Sequence, residues 1–353
     1  IDESVGNGTC APMRDEVASF RVDLTRFVDS DGSPIGELPS FADRVDELIG
    51  LYRAMVLTRI FDAKAVALQR TGRLGTFASS LGQEGVSVGI GSAMEPTDVL
   101  VPSFREQGAM LLRGVTPTEL FLYWGGDERG SDFAVPREDF PVCVPIGTQA
   151  PHAAGVALAM QLRGEARAAV GVFGDGATSR GDVYEAMNLA GARHLPVVFV
   201  VNNNQWAISV PRSAQSSTET LAQKAIGAGL AGEQVDGNDV IAVRAVMDDA
   251  LARARSGAGP TLVEAVTYRL ADHTTADDAS RYRSDDEVSE HWHREPIARL
   301  RNLLVARGAW GRNDEEHLLE ECTAIVEAGV DEYEATPPLP PDAMFDRLHA
   351  ELP

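Results

Sequence analysis

The apolar run AAVGVF (168–173) stops at GDGATSRGD (174–182), which sets a carboxylate, Asp175, between two glycines just before a helical pattern. A glycine-rich turn between a strand and a helix offers backbone N–H groups and partial positive charge to an anion. The string fits G-x-G-x-x-G except that Ser179 replaces the third glycine. A dinucleotide site also wants an acid at the end of the second strand. Here PVVFVV (196–201) runs instead into Asn202, Asn203 and Asn204. Asp175 would also repel a pyrophosphate. A divalent cation lying between them removes the conflict, because a hard cation accepts carboxylate, amide, carbonyl and phosphate oxygens together. Magnesium, which keeps phosphate and water among its oxygens, suits such a place. Two plainer readings stay open: Asp175 caps a helix, and the asparagines turn a loop. A nicotinamide-dinucleotide-binding protein is the remote alternative.

For Asp175 and Asn204 to meet, the intervening chain must be a βαβ unit. The pattern predicts a small-residue helix over 150–164, a strand over 168–173, a turn over 174–178, a helix from about 180 to 192 and a strand over 196–201. In a parallel βαβ unit both strands end on the same edge of the sheet. Ser179 with Asp182 resembles a capping box, and Val183, Ala186, Met187 and Ala190 form the stripe to be buried. Upstream, residues 41–72 recur at helical spacing and stop at Gly72; downstream, 225–270 read as strand, helix and strand. The aperiodic stretch 271–288 predicts a mobile surface loop. The chain thus divides into an extended arm (1–40), an α/β domain (41–290) and a helical extension (291–353) carrying TPPLPP as a rigid spacer.

The net charge of −22 over 353 residues argues against nucleic acid or an anionic membrane as partner. No apolar run approaches the ~18 residues of a membrane span. With Lys64 and Lys224 the only lysines, an anionic ligand would be held by arginine forks. Three scattered cysteines (Cys10, Cys143, Cys322) make neither a disulfide framework nor a thiolate metal site. With no basic and apolar leader at the start of the sequence, a reducing, cytoplasmic setting is expected.

GDG followed at this interval by paired asparagines is similar to the thiamine-diphosphate motif. The segments GRLGTFASSLGQEG, PSFREQG, GTQAPHAAGVALAM, GDGATSRGDVYEAMNLAG, NNNQWAISVP, QVDGNDV and TYRLADHTTADDASRYRS extend the likeness over about residues 45–345. Together they resemble the alpha subunit of the thiamine-dependent 2-oxo acid dehydrogenases, the decarboxylating first component of the pyruvate and branched-chain complexes. The resemblance implies a three-layer thiamine-diphosphate-binding fold, its central, mostly parallel sheet flanked by helices. It implies thiamine diphosphate and Mg2+ as cofactors. Asp175, the side chain of Asn204 and the backbone carbonyl of Trp206 would bind the cation. Gly176 and Ala177 would meet the diphosphate through backbone amides, and Arg105 would pair with it. Phe104 stands where many relatives carry tyrosine, which removes one hydroxyl contact. Ile146 would prop the cofactor in its bent form, and Val144 would contact the pyrimidine through its backbone.

His273 would reach the cofactor phosphate and assist acyl transfer, Arg269 and Asp277 would pair to order its loop, and Phe77 and Ala78 would line the substrate mouth. The resemblance leaves open a monovalent cation near Thr148 and Gln149, and whether Thr274 is phosphorylated as a serine is in mitochondrial relatives. The glutamate that activates the cofactor belongs, in the family, to a separate beta subunit. The implied assembly is therefore an α2β2 heterotetramer, served by a lipoyl-bearing acyltransferase. The implied reaction is oxidative decarboxylation of a small 2-oxo acid with reductive acylation of lipoyl groups. Pyruvate is the first expectation and a branched-chain 2-oxo acid the second; a non-catalytic scaffold that kept only the fold is a further alternative.

Overall fold

The computed structural model describes residues 14–345. Residues 1–13 of the expected arm, with Cys10, and 346–353 of the expected extension lie outside the described residues. In chain order, strand β1 is Leu24–Thr25, and helices α1 (Val45–Arg70) and α2 (Glu84–Ala93) precede β2 (Val99–Val101). Helices α3 (Gln107–Leu112), α4 (Pro117–Gly125) and α5 (Gln149–Arg163) lead to β3 (Ala169–Gly174), α6 (Gly181–Arg193) and β4 (Val197–Asn203). A hairpin of β5 (Trp206–Ala207) and β6 (Val210–Pro211) is followed by α7 (Arg212–Gln215), α8 (Lys224–Ala228), β7 (Ala231–Asp236), α9 (Val240–Arg255) and β8 (Thr261–Val266). Helices α10 (Asp285–Trp292), α11 (Pro296–Ala306) and α12 (Arg312–Ala335) complete the set.

The main sheet has six strands in the order β1-β7-β8-β4-β3-β2, every ladder parallel. Strands covered on both faces must be apolar at every position. In β3 and β4, Val170, Val172, Val198 and Val200 face a core shared with α1, α2 and α9. The alternating Ala169, Phe173, Val197, Phe199 and Val201 face a second core with α5 and α6, where Val183, Ala186, Met187 and Ala190 lie as expected. The three-layer α/β architecture follows from that alternation. On the first face α2 approaches α9 closely: a Cβ on Gly89 would stand 2.5 Å from Val243 Cγ1.

The expected capping box at Ser179 is not formed. Residues Asp175–Ser179 wind into a 3-10 helix that uses up Ser179, and α6 is entered through Arg180 with no side-chain cap. Asp182 instead pairs with Arg180 at 2.9 Å.

From Leu24 the arm belongs to the sheet, pairing with β7 in parallel register, Leu24 opposite Gln234. The clasp is Asp239, which caps α9 and accepts four backbone N–H groups. Phe27 and Val28 donate to one oxygen at 2.7 and 2.8 Å, Ile241 and Ala242 to the other at 3.1 and 3.2 Å. Helices α11 and α12 bury a third cluster against α1 and the arm.

The stretch expected to be a mobile loop is stitched down by buried arginines. Arg283 donates to the carbonyls of Leu270 (3.1 Å) and Ala271 (2.6 Å), and α10 begins within the stretch, capped by Ser284. Its polar composition satisfies backbone carbonyls; the sequence pattern alone reads such residues as solvated.

Candidate active site

A cavity of about 500 Å3 opens where β3 and β4 end, walled by the 3-10 turn, the β5–β6 hairpin, Arg105 and His273. Asp175 lies in it at 3% exposure. Its carboxylate accepts from Gln215 Nε2 at 3.0 Å, and among the described residues it has no ion pair. Burial, the largest cause, pushes its pKa above the ordinary carboxylate value, against the Gln215 bond and the fields of Arg269 and Arg105. Gly176 is needed by the fold itself: a Cβ there would stand 2.7 Å from that of Ala207 in the hairpin. Ala177 follows it along the cavity wall.

Asn202 and Asn203, which end β4, and Asn204 just after them each take a different partner. Asn202 Oδ1 accepts from Thr267 Oγ1 at 3.1 Å, and Asn203 Nδ2 donates to buried Glu264 at 2.7 Å. Asn204 Nδ2 donates to Gln83 Oε1 at 3.0 Å, while its Oδ1 accepts from Trp206 N–H at 3.2 Å. The hairpin next in the chain is strained, with Gln205 at φ 72° and the β-branched Ile208 at φ 56°. Fully buried Arg269 holds it there, donating to the carbonyls of Trp206 (3.2 Å) and Ile208 (2.8 Å).

Arg105, on the opposite wall, donates to the carbonyls of Ser79 and, at 2.7 Å, His273, and reaches His273 Nδ1 at 3.1 Å. Arg269 approaches the same Nδ1 at 3.4 Å. A nitrogen facing two guanidinium donors must be an acceptor, so neutral His273 carries its proton on Nε2. Burial first, then Arg105 and Arg269, bring its pKa down to about 4. Burial, and then Arg269, lower Arg105 to about 10. Neither arginine makes a direct ion pair among the described residues; the carboxylates of Asp62, Glu106, Asp175 and Asp277 act on them only through their fields, which leaves the guanidinium donors open to an anion. Phe104 lies beneath the Arg105 guanidinium at 5.1 Å.

The sequence-predicted residues Phe104, Arg105, Ile146, Asp175, Gly176, Ala177, Asn204, Trp206 and His273 all line this one cavity. Val144 does not; it is 51% exposed on the approach to Ile146. Phe77 and Ala78 do not line it either, correcting that expectation. Phe77 is turned into the core, edge-on to Phe61 and Trp124, because an aromatic ring gains more from that packing than from water. Only the backbone of this segment serves the site, Phe77 and Ser79 binding Thr275 and Arg105. The expected Arg269–Asp277 pair is not direct: Tyr282 stands between, accepting from Arg269 at 2.7 Å and donating to Asp277, which also accepts His273 N–H at 2.8 Å. Gln83, Glu106 and Gln215 also line the cavity; no local pattern singles out Gln215, which comes from a different element than its partner.

The donor set decides what the cavity can hold. Among the described residues no three His, Cys, Asp or Glu cluster as a metal site. The available atoms are hard oxygens: a buried carboxylate without a cation, an amide oxygen and a hairpin carbonyl. These suit magnesium completed by a ligand's phosphate, and no softer metal. Apolar Ile146, Ile208 and Val210 on the remaining walls suit a ring system joined to that phosphate.

Residues 52–342 match the sequence model of the family described as dehydrogenase E1 component. The chain is similar to the 3-methyl-2-oxobutanoate dehydrogenase subunit alpha of Mycobacterium tuberculosis, 42% identical over 349 residues, covering 99% of this chain and 95% of that one. It is also similar to the pyruvate dehydrogenase E1 component subunit alpha of Staphylococcus aureus, 37% identical over 336 residues, covering 94% of this chain and 90% of that one. The Staphylococcus epidermidis protein of the same name matches over the same length at 37%.

Proposed function

Because the chain belongs to the dehydrogenase E1 component family, we propose that it is the alpha subunit of a thiamine-dependent 2-oxo acid dehydrogenase. The observation that carries the reading is that Asp175 and Arg105, both buried, line one cavity and neither makes a direct ion pair among the described residues. Magnesium diphosphate supplies a counter-ion to each. The remote dinucleotide alternative lacks support, since β4 ends in amides where such a site wants an acid.

Asp175, Asn204 Oδ1 and the Trp206 carbonyl would hold the cation. The backbone at Gly176 and Ala177, with Arg105, would hold the phosphates beside Phe104, and Ile146 would flank the ring end. When bound, thiamine diphosphate supplies the nucleophilic carbon for decarboxylation of the 2-oxo acid and transfer of the acyl group to lipoyl. His273, neutral with its proton on Nε2, serves as a hydrogen-bond donor to the anionic end, and Arg105 and Arg269 fix that tautomer. Its role at pH 7 is orientation and charge stabilisation; an imidazolium beside two guanidinium groups would be strongly opposed.

A beta subunit, in an α2β2 assembly, would complete the site. The cavity rim is apolar and open, with Ile146 46% and Ile208 54% exposed, which suits cover by a second protein. A lipoyl-bearing acyltransferase would take the product. Cys143 and Cys322 are free thiols, in keeping with a reducing cytoplasmic setting, and among the described residues no helix is long and apolar enough to cross a membrane.

For substrate, the higher identity to a 3-methyl-2-oxobutanoate dehydrogenase favours a branched-chain 2-oxo acid; pyruvate, the first expectation from the sequence, is the competing reading, favoured by the staphylococcal relatives. The test is co-expression with the beta-type partner and measurement of carbon dioxide release from 3-methyl-2-oxobutanoate and pyruvate. The chain alone should release none from either. Full activity of Asp175→Ala in the complex would overturn the reading.

A further inference from the structure

An asparagine side chain has two ends alike in shape and opposite in chemistry, so a buried one must be told which way to face. At Asn204 the instruction starts at Trp206, whose backbone N–H can only donate and therefore fixes an oxygen on its side, at 3.2 Å. The NH2 end then points the other way, where it needs an acceptor. Gln83 Oε1 supplies it at 3.0 Å from a segment remote in sequence, the turn that enters α2. Gln83 is wholly buried. In turning its oxygen to Asn204 it leaves its own Nε2 without a partner among the described residues. Such an orphaned buried donor destabilises the fold, and an apolar residue of the same shape would avoid that loss.

We propose that Gln83 is a positioning residue for the cation site: by accepting the Asn204 Nδ2–H it anchors the amide plane at its second end and keeps Oδ1 presented to the cavity. The inference rests on the cation-bridged reading above. With one anchor gone, the amide can swing about its last torsion and the ligand oxygen loses its preorganised place. The same role explains why the position carries an amide and tolerates an unsatisfied donor.

The test uses the full chain in complex with its beta partner and reads Mn2+ affinity in the presence of thiamine diphosphate by electron paramagnetic resonance, with thermal unfolding as a check on folding. Gln83→Met keeps the shape and removes the acceptor; Mn2+ binding should weaken roughly tenfold, the equivalent of one buried hydrogen bond. Gln83→Glu keeps an acceptor oxygen and should bind Mn2+ at least as tightly as the parent. Asn204→Asp has an oxygen at each end and no orientation to lose, so adding Gln83→Met to it should change affinity by less than about twofold. An equal loss from Gln83→Met in both backgrounds would show a merely structural part for Gln83 and overturn the proposal, as would weak binding by Gln83→Glu or unchanged binding by Gln83→Met. Failure of the parent complex to bind Mn2+ with the cofactor would overturn the cation-bridged reading itself, and the role of Gln83 with it.

Discussion

Asp175→Asn should strengthen the ligand-free fold and weaken the bound one. The substitution keeps the shape and leaves an oxygen for Gln215 Nε2, now 3.0 Å from the carboxylate. What it removes is a charge that burial disfavours, as the raised pKa of Asp175 records. Burying a carboxylate costs several kcal/mol after relaxation, and a charge-assisted hydrogen bond returns about 1.5–3 kcal/mol. The difference, on the order of 2 kcal/mol, is the stability the variant should gain at neutral pH, a shift of a few degrees in melting temperature for a chain of this size. For an acid whose folded pKa is raised, the protonated form stabilises the fold fully below the unfolded value of 3.8, and this is lost as pH rises through the folded value. The advantage of Asp175→Asn over the parent should therefore be large at pH 7 and close as the pH falls below 3.8. In the bound state, removing one partner of a desolvated charge pair costs about 2–5 kcal/mol, so Mn2+ affinity with thiamine diphosphate should fall at least roughly 30-fold. Differential scanning calorimetry across pH, without ligand, and a Mn2+ titration in the co-expressed complex measure the two effects. A ligand-free variant less stable than the parent at pH 7, or one that binds Mn2+ undiminished, would refute the reasoning.

His273 should titrate near 4 in the ligand-free protein, observable by NMR of labelled histidine; its neutral form stabilises the fold fully above 6.5, and that contribution fades as the pH drops toward about 4. An ordinary midpoint near 6.5 would contradict the two-guanidinium geometry. Asp239→Ala strips the acceptors from four backbone N–H groups and should cost about 3 kcal/mol in denaturant unfolding. It should also speed tryptic cleavage at Arg21 and Arg26; unchanged cleavage would mean that the arm is held by other contacts. Tyr282→Phe breaks the link between Arg269 and Asp277 and should cost about 1–2 kcal/mol, with faster proteolysis between residues 271 and 284. Stability equal to the parent would show that Arg283 alone holds this segment.

The βαβ unit carrying Asp175 and Asn204 was legible because its signals are local: apolar strands, a buried stripe at 183, 186, 187 and 190, and turn residues between them. Val183, Ala186, Met187 and Ala190 are buried as that stripe requires. Hydrogen-bond partners remote in sequence were not legible. Gln83 meets Asn204 and Gln215 meets Asp175 only once the sheet has formed, and no spacing rule links them. The capping box failed because Ser179 was taken into a 3-10 turn, which competes locally with a helix start. Phe77 failed for a tertiary reason: motif position places its backbone beside the site, and packing against Phe61 decides where its ring goes. The segment 271–288 misled because Arg283, which looks solvated in sequence, is buried under its neighbours' carbonyls.

The two margins of the main sheet are a two-residue strand donated by the arm and a three-residue strand sunk in the interior. Neither leaves enough free N–H and C=O to template a further strand. Among the described residues, the main sheet's end strands are thus too short to seed a growing ribbon of copies, the route by which open sheets precipitate, and a partner finds its larger surfaces broadside, across helices or over the rim of the cavity.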